Sequence, residues 1–445
     1  MSYTREQYYI NTGEDGKIDE NNLQKVFFGI DEFLKDKSNP PKKILLYCHG
    51  GLVSKANGLE LTENHSVKML ANHIYPVYFV WESGLLETLE DMFHSIHIEF
   101  ENHSLKDHMV QKVQTSTYDR GNFDATNMEA ILKEVHQSIT AETDSANVEI
   151  ALPILDDVSH FVKELAARVR VETKAIAGEV NENLDKTVQY IVKNFRLGDK
   201  HIPDIWAQMK KTGGKVFTEG GGGDLFLKEL LTRSEPMEIH IIGHSAGSIV
   251  LATLLERLNR HDPHLKNLKI KSCTLFAAAC TEKVFMDHYA PAIRNGIMEH
   301  FLFYTLNDEL ERKDTCMTFA YRKSLLYAIS ECLEATSKPE KIIGMEIYAE
   351  ENELINGLKD SKKDSKWIIS NGCKSVDPLE FAVDNQSMKL VSKNKSHGGF
   401  AQDIYTMNSV IKCIVESDTI VSITPDPFFL DPCIRKIVVF GSVEP

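Results

Sequence analysis

Paired cysteines are missing from this chain. Its eight cysteines, Cys48, Cys273, Cys280, Cys316, Cys332, Cys373, Cys413 and Cys433, form no Cys-x-x-Cys motif. Such scattered thiols, two of them (Cys48 and Cys273) inside apolar runs, argue for a reducing compartment and against a disulfide framework. No apolar run reaches the roughly 18 residues that a spanning helix needs. The opening "MSYTREQYYINTGEDGKIDENN" has no apolar core of a secretory leader. A soluble, cytoplasmic protein without a transmembrane segment is therefore expected. Basic charge is in deficit, with 50 Lys and Arg against 65 Asp and Glu and a formal net charge of −15. That argues against a nucleic-acid backbone as the main partner. His-Glu-x-x-His runs and paired Cys/His ligands are absent, and no Gly-Lys-Ser/Thr follows the glycines at 220–223. Neither a metal nor a cofactor is expected. Internal repeats are absent too.

What remains is an ordinary globular composition, 42% hydrophobic and 26% charged, over 445 residues. That length suits two or three domains, or one large α/β domain with insertions. The apolar pattern favours the second. A helix fits "ENNLQKVFFGIDEFLKDK", and Ile44–Tyr47 then make a strand stopping at His49-Gly50-Gly51. A helix at Ser66–His73 and a strand at Tyr75–Trp81 follow. Strand alternating with helix is the signature of a parallel sheet covered on both faces.

From Ser83 to Phe217 the strand signal fades. Val158, Val162, Leu165, Val169, Ile176, Val180, Leu184, Val188, Ile191 and Phe195 recur mostly at three- and four-residue steps, which predicts one long amphipathic helix or a pair. The expected organisation is an N-terminal core part at 1–85, a helical insertion (cap or lid) at 86–217 and a C-terminal core part at 218–445. The insertion's stripe packs on the body or on itself, or meets a lipid surface or a protein partner. Its exit, Gly220–Gly223, reads as a flexible loop and a hinge. Alternation then resumes, with a helix at Leu225–Thr232, strands at Lys269–Cys280 and His300–Asp308, and a helix at Phe319–Ala335. Residues 340–395 look like a smaller insertion with candidate strands "KIIGMEIYAEE" and "PLEFAVDN". A loop and helix follow at "SHGGFAQDIYTMNSVIKCIVES", and "IRKIVVFG" closes the chain.

The stretch "EIHIIGHSAGSIVLATLLERL" carries the chemistry. An apolar run enters Gly243-His244-Ser245-Ala246-Gly247, and apolar residues at helical spacing leave it. Glycines two residues either side of a serine allow a sharp turn that lifts its hydroxyl above the sheet edge. The plain alternative is a serine that caps the following helix.

This strand–Gly-x-Ser-x-Gly–helix unit, the earlier strand ending in His49-Gly50-Gly51, the strand ending at Asp308 and the late His397 together resemble the α/β-hydrolase fold superfamily, on its serine esterase and lipase side. The resemblance covers about residues 40–85 and 236–415; residues 86–217 resemble no family. It implies a mostly parallel sheet flanked by helices, and an acyl-enzyme formed on Ser245 during hydrolysis of a carboxylic ester, a small molecule or a lipid. Amide or thioester hydrolysis uses the same groups, and a protein-binding module on the same fold is the non-enzyme alternative. The superfamily's chain order is serine, acid, histidine. Of 17 histidines only His397 lies beyond the Asp308 strand, so it is the expected base. Asp308 is the expected acid and Glu282 the runner-up, with Glu309 and Asp314 further candidates. The expected oxyanion donors are the backbone amides of Ala246, Gly51 and Leu52. His49 reads as a residue that fixes its loop.

Overall fold

Seven strands fold into one sheet. The computed structural model describes residues 4–13, 15–38, 40–50, 55–81, 196–197, 200–314, 323–334, 338–359, 365–372, 390–417 and 419–421. Its strands are β1 (Tyr9–Thr12), β2 (Lys42–Cys48), β3 (Ile74–Trp81), β4 (Arg196–Leu197), β5 (Lys200–His201), β6 (Met237–His244), β7 (Ile270–Phe276), β8 (Met298–Leu306) and β9 (Lys366–Ser370). Seven form one parallel sheet in the order β1-β3-β2-β6-β7-β8-β9, while β4 and β5 make a small antiparallel pair. All of β3 is buried, and so is β2 except Lys43. Burial on both faces is why these strands read as unbroken apolar runs instead of alternating ones. The helices that flank the sheet include α1 (Glu20–Lys35), α2 (Lys55–Ala71), α3 (Ile202–Lys215), α4 (Gly222–Leu230), α5 (Gly247–Asn259), α6 (Asp308–Lys313) and α7 (Ile404–Val415). The fold is of the α/β class. Among the described residues no helix is long and apolar enough to cross a membrane.

The strand order places the site. The chain steps from β2 to β3 in one direction, then returns to β6 on the other side of β2 and continues outward through β7, β8 and β9. The direction reverses between β2 and β6. In an open parallel sheet the loops leaving such neighbours part from each other, and a crevice opens outside their carboxyl ends. Here those ends are Cys48 and His244, which lead into His49-Gly50 and Ser245.

Several expectations need correction. The strand β1 escapes the sequence pattern because it is a four-residue edge strand in a polar segment. So does β9, whose "KWIIS" follows a charged loop. The candidate strand "KIIGMEIYAEE" supplies a single bridge, Ile342 to Thr281, and then a helix at Glu346–Glu351. The glycine run is not a hinge. Gly220 has φ +79°, a Cβ on Gly221 would stand 2.2 Å from the Lys215 carbonyl oxygen, and one on Gly223 would stand 2.6 Å from the Phe217 ring. Gly222 and Gly223 are already the first turn of α4, and the buried Asp224 accepts from the Gly220 amide at 2.8 Å and from Arg257 at 2.7 Å. Glycine serves here for close packing, and the turn is tied down. The helix α3, which falls within the span read as the insertion, packs on the sheet body: Trp206 and Met209 are buried, and Gly213 lies against Val250 and the Trp81 ring. The apolar stripe from Val158 to Phe195 and the segment "PLEFAVDN" lie outside the described residues.

Candidate active site

Ser245 follows the last residue of β6 and has φ +51°, the left-handed region that disfavours a residue with a Cβ. The surroundings over-determine it. Its N–H donates to the Phe276 carbonyl at 2.9 Å, and its carbonyl accepts from the amides of Ala279 and Ser248 at 3.0 Å each and from Ser248 Oγ at 2.7 Å. The neighbouring glycines are needed for proximity. A Cβ on Gly247 would stand 2.1 Å from the Cys48 carbonyl oxygen, and one on Gly243 would stand 3.0 to 3.1 Å from Leu251, Leu275 and the Ser248 nitrogen. The plain reading of Ser245 as a helix cap does not match this geometry. Ala246 is the N-cap of α5, and the Ser245 hydroxyl meets a histidine instead.

That histidine is His397, whose Nε2 lies 2.8 Å from Ser245 Oγ. The loop that presents it is pinned at several points. Ser370 Oγ at the end of β9 donates to the Asn394 carbonyl at 2.7 Å, and Asn394 Nδ2 donates to the Ser396 carbonyl at 2.7 Å. His244 Nε2–H donates to the His397 carbonyl at 2.9 Å. Phe400 stacks on Phe276 at 5.7 Å, and Asp403 caps α7. Gly399 lies close against this loop, since a Cβ there would stand 2.2 Å from Asn394 Oδ1. The sequence points to Ser245 and His397 but gives no role to His244, although it sits inside the same pentapeptide.

For His397 to accept the serine proton at Nε2, its own proton must sit on Nδ1. Nδ1 is buried and has no partner among the described residues. Asp308 is the first residue of α6. Its carboxylate accepts from the Tyr327 hydroxyl and from Arg312 Nε at 2.7 Å. Glu282 is held by Asn352 at 3.0 Å, and Glu309 pairs with Lys313. The carboxylate that reaches the histidine is Asp314, whose Oδ2 accepts from the His397 backbone N–H at 2.6 Å. Glu311, not singled out from sequence, is buried one turn earlier, and burial pushes its carboxyl up to about 8.

The first loop approaches from β2. A Cβ on Gly50 would stand 3.1 Å from Ser245 Cβ, so the backbone there passes directly beside the serine. The His49 ring nitrogens are both engaged by backbone, Nδ1 with the Gly50 carbonyl at 2.7 Å and Nε2 with the Trp81 N–H at 3.3 Å. It is a loop-fixing residue, as its sequence context suggests. Gly51 and Leu52 lie outside the described residues, and the remaining expected donor, Ala246, is buried at the N-terminus of α5. Among the described residues no group of three or more His, Cys, Asp or Glu is placed to hold a metal ion.

Burial also sets the charge states. It holds the imidazoles of His49 and His65 down to about 4, and those of His240 and His397 down to about 3. A nearby His244 adds to the effect at His397. His397 is therefore neutral at physiological pH, with Nε2 placed to accept the hydrogen bond of the Ser245 hydroxyl. The same shifts couple folding to pH. The unfolded chain binds protons near 6.5, where the folded chain refuses them, so stability is full above about 6.5 and falls as pH drops toward the folded values. Denaturant melts at about pH 7.5 and about pH 5 are expected to show a large loss at the lower pH. Equal midpoints would contradict the buried neutral state of these four rings.

Comparison of the chain with models of protein families, with curated proteins and with solved structures found no match.

Proposed function

We propose that this protein is a serine hydrolase of the α/β-hydrolase type that cleaves carboxylic esters through an acyl-enzyme on Ser245. The observation that carries the reading is the 2.8 Å contact between His397 Nε2 and the hydroxyl of a serine held at φ +51°. A hydroxyl is a weak nucleophile at neutral pH and needs an adjacent base. A buried, neutral imidazole within hydrogen-bond reach meets that need. Strain at the serine is the second support, because a backbone held in a sparsely populated region by four surrounding bonds is characteristic of a functional turn.

In the proposed cycle His397 takes the Ser245 proton as Oγ attacks the ester carbonyl, and the electron pair moves onto the carbonyl oxygen. The Ala246 amide, at the positive end of α5, faces the developing charge. Collapse of the tetrahedral species expels the alcohol, which receives the proton from His397, and water then repeats the sequence on the acyl-enzyme. The reading assigns Asp314 as the acid that orients the imidazole. Its carboxylate already binds the His397 main chain, and the Asp308 carboxylate is occupied by Tyr327 and Arg312.

The test is labelling by a fluorophosphonate, followed by a panel of p-nitrophenyl esters of rising chain length beside phospholipids, thioesters and peptides. Ester turnover with labelled Ser245 supports the reading; an unlabelled native protein overturns it. Asp314→Asn is expected to lower kcat by about a hundredfold or more, because it weakens the anchor that holds the His397 main chain with Nε2 against Ser245 Oγ. Asp308→Asn should cost far less, and the opposite ranking would return the acid to Asp308.

A further inference from the structure

We infer that His49 and Trp81 form a positioning pair that holds the Gly50 backbone against Ser245 and thereby sets the geometry in which the transition state is stabilised. The inference rests on the hydrolase reading and adds to it two residues that touch no reacting atom.

The pairing is reciprocal. The Trp81 main-chain N–H donates to His49 Nε2 at 3.3 Å, and the Trp81 indole Nε1–H donates to the His49 carbonyl at 3.2 Å. The rings are stacked with centroids 5.9 Å apart and planes 18° from parallel. The third bond, from His49 Nδ1–H to the Gly50 carbonyl at 2.7 Å, completes a closed set. These roles are compatible only with the neutral tautomer protonated on Nδ1, and burial, which holds the ring down to about 4, keeps it neutral.

The consequence for the backbone follows from peptide planarity. The carbonyl and amide of one peptide unit point in opposite directions and turn together. The carbonyls of both His49 and Gly50 are held, so Gly50 is fixed from two sides. A glycine would otherwise be the freest residue in the loop. Gly50 is also the point of closest approach, since a Cβ there would meet Ser245 Cβ at 3.1 Å and Oγ at 3.6 Å. Trp81 is itself immobilised. It is the last residue of β3, 2% exposed, and its ring is backed by Gly213 of α3, where a Cβ would stand 3.3 Å away. The clamp thus joins the carboxyl ends of β2 and β3 to the loop beside the nucleophile.

The test uses the full chain with two substitutions that keep a ring in each place. Trp81→Phe removes the indole donor and His49→Phe removes both imidazole bonds. Each is expected to lower kcat on a p-nitrophenyl ester by roughly tenfold to a hundredfold with little change in KM, the scale of a misplacement of about 1 Å. A role confined to folding would lower the amount of active protein, so the serine is titrated with a fluorophosphonate and rates are taken per labelled site. A second measurement needs no variant. Phenylboronic acid, whose boron accepts the Oγ electron pair while His397 takes the proton, should shift the Trp81 indole N–H resonance but leave the Trp367 resonance in place. Unchanged kcat per labelled site in either folded variant, or no shift of the Trp81 resonance, overturns the clamp while leaving the hydrolase reading intact. A native protein that the fluorophosphonate does not label overturns both.

Discussion

Ser245→Ala is expected to abolish fluorophosphonate labelling and lower ester hydrolysis by about four orders of magnitude or more, because the other groups cannot act without the nucleophile. The variant should remain folded. Alanine fits the same volume and meets the same strain at φ +51°, and the bonds that fix the Ser245 backbone do not use the hydroxyl. What is lost in stability is the partner of the buried His397 Nε2, about 1–3 kcal/mol. Ser245→Gly provides the control. Glycine adopts positive φ freely, so this variant should be as inactive as alanine yet melt higher. The outcome against the proposal is Ser245→Ala protein with native melting and native turnover. Lower melting for glycine than for alanine would count against a strained turn.

The second large effect is structural. Gly247→Ala is expected to cost about 3 kcal/mol or more, since the added methyl would lie 2.1 Å from the Cys48 carbonyl oxygen and 2.8 Å from its carbon. Both atoms belong to the β2 backbone, which pairs with β6 through Gly243 and cannot retreat without breaking that ladder. The close approach of α5 to β2 is also what brings His49-Gly50 beside Ser245, so whatever folded protein remains should lose activity as well. Gly214→Ala on α3 is the comparison, because its nearest neighbour would be Thr253 Cγ2 at an ordinary 3.8 Å. Denaturation midpoints of the two variants decide the matter, and equal midpoints would show that β2 yields more readily than the packing implies.

Much of this arrangement is legible in the amino-acid sequence. The apolar runs at Ile44–Tyr47, Tyr75–Trp81 and Ile239–Ile242 carry their own evidence of burial, because a strand covered on both faces admits few polar residues. Ser245 is legible because a turn that sharp demands glycines at fixed offsets, and His397 because no other histidine lies beyond Asp308. What sequence alone determines is therefore the class of fold, the candidate nucleophile and its candidate base. Tertiary structure decides the rest. Which carboxylate meets the His397 main chain depends on where α6 ends relative to a loop 83 residues further along the chain, and there it is Asp314 Oδ2 that accepts from the His397 N–H. The four-glycine run shows the same limit: glycine permits both freedom and close contact, and only the atoms of Lys215, Phe217 and Asp224 packed around it make it a fixed turn. The clamp of His49 and Trp81 joins residues 32 apart at the ends of neighbouring strands, and no local pattern encodes it. Local propensity and spacing act within a few residues, whereas the partner of a buried polar atom is chosen by whatever the folded chain brings within hydrogen-bond reach.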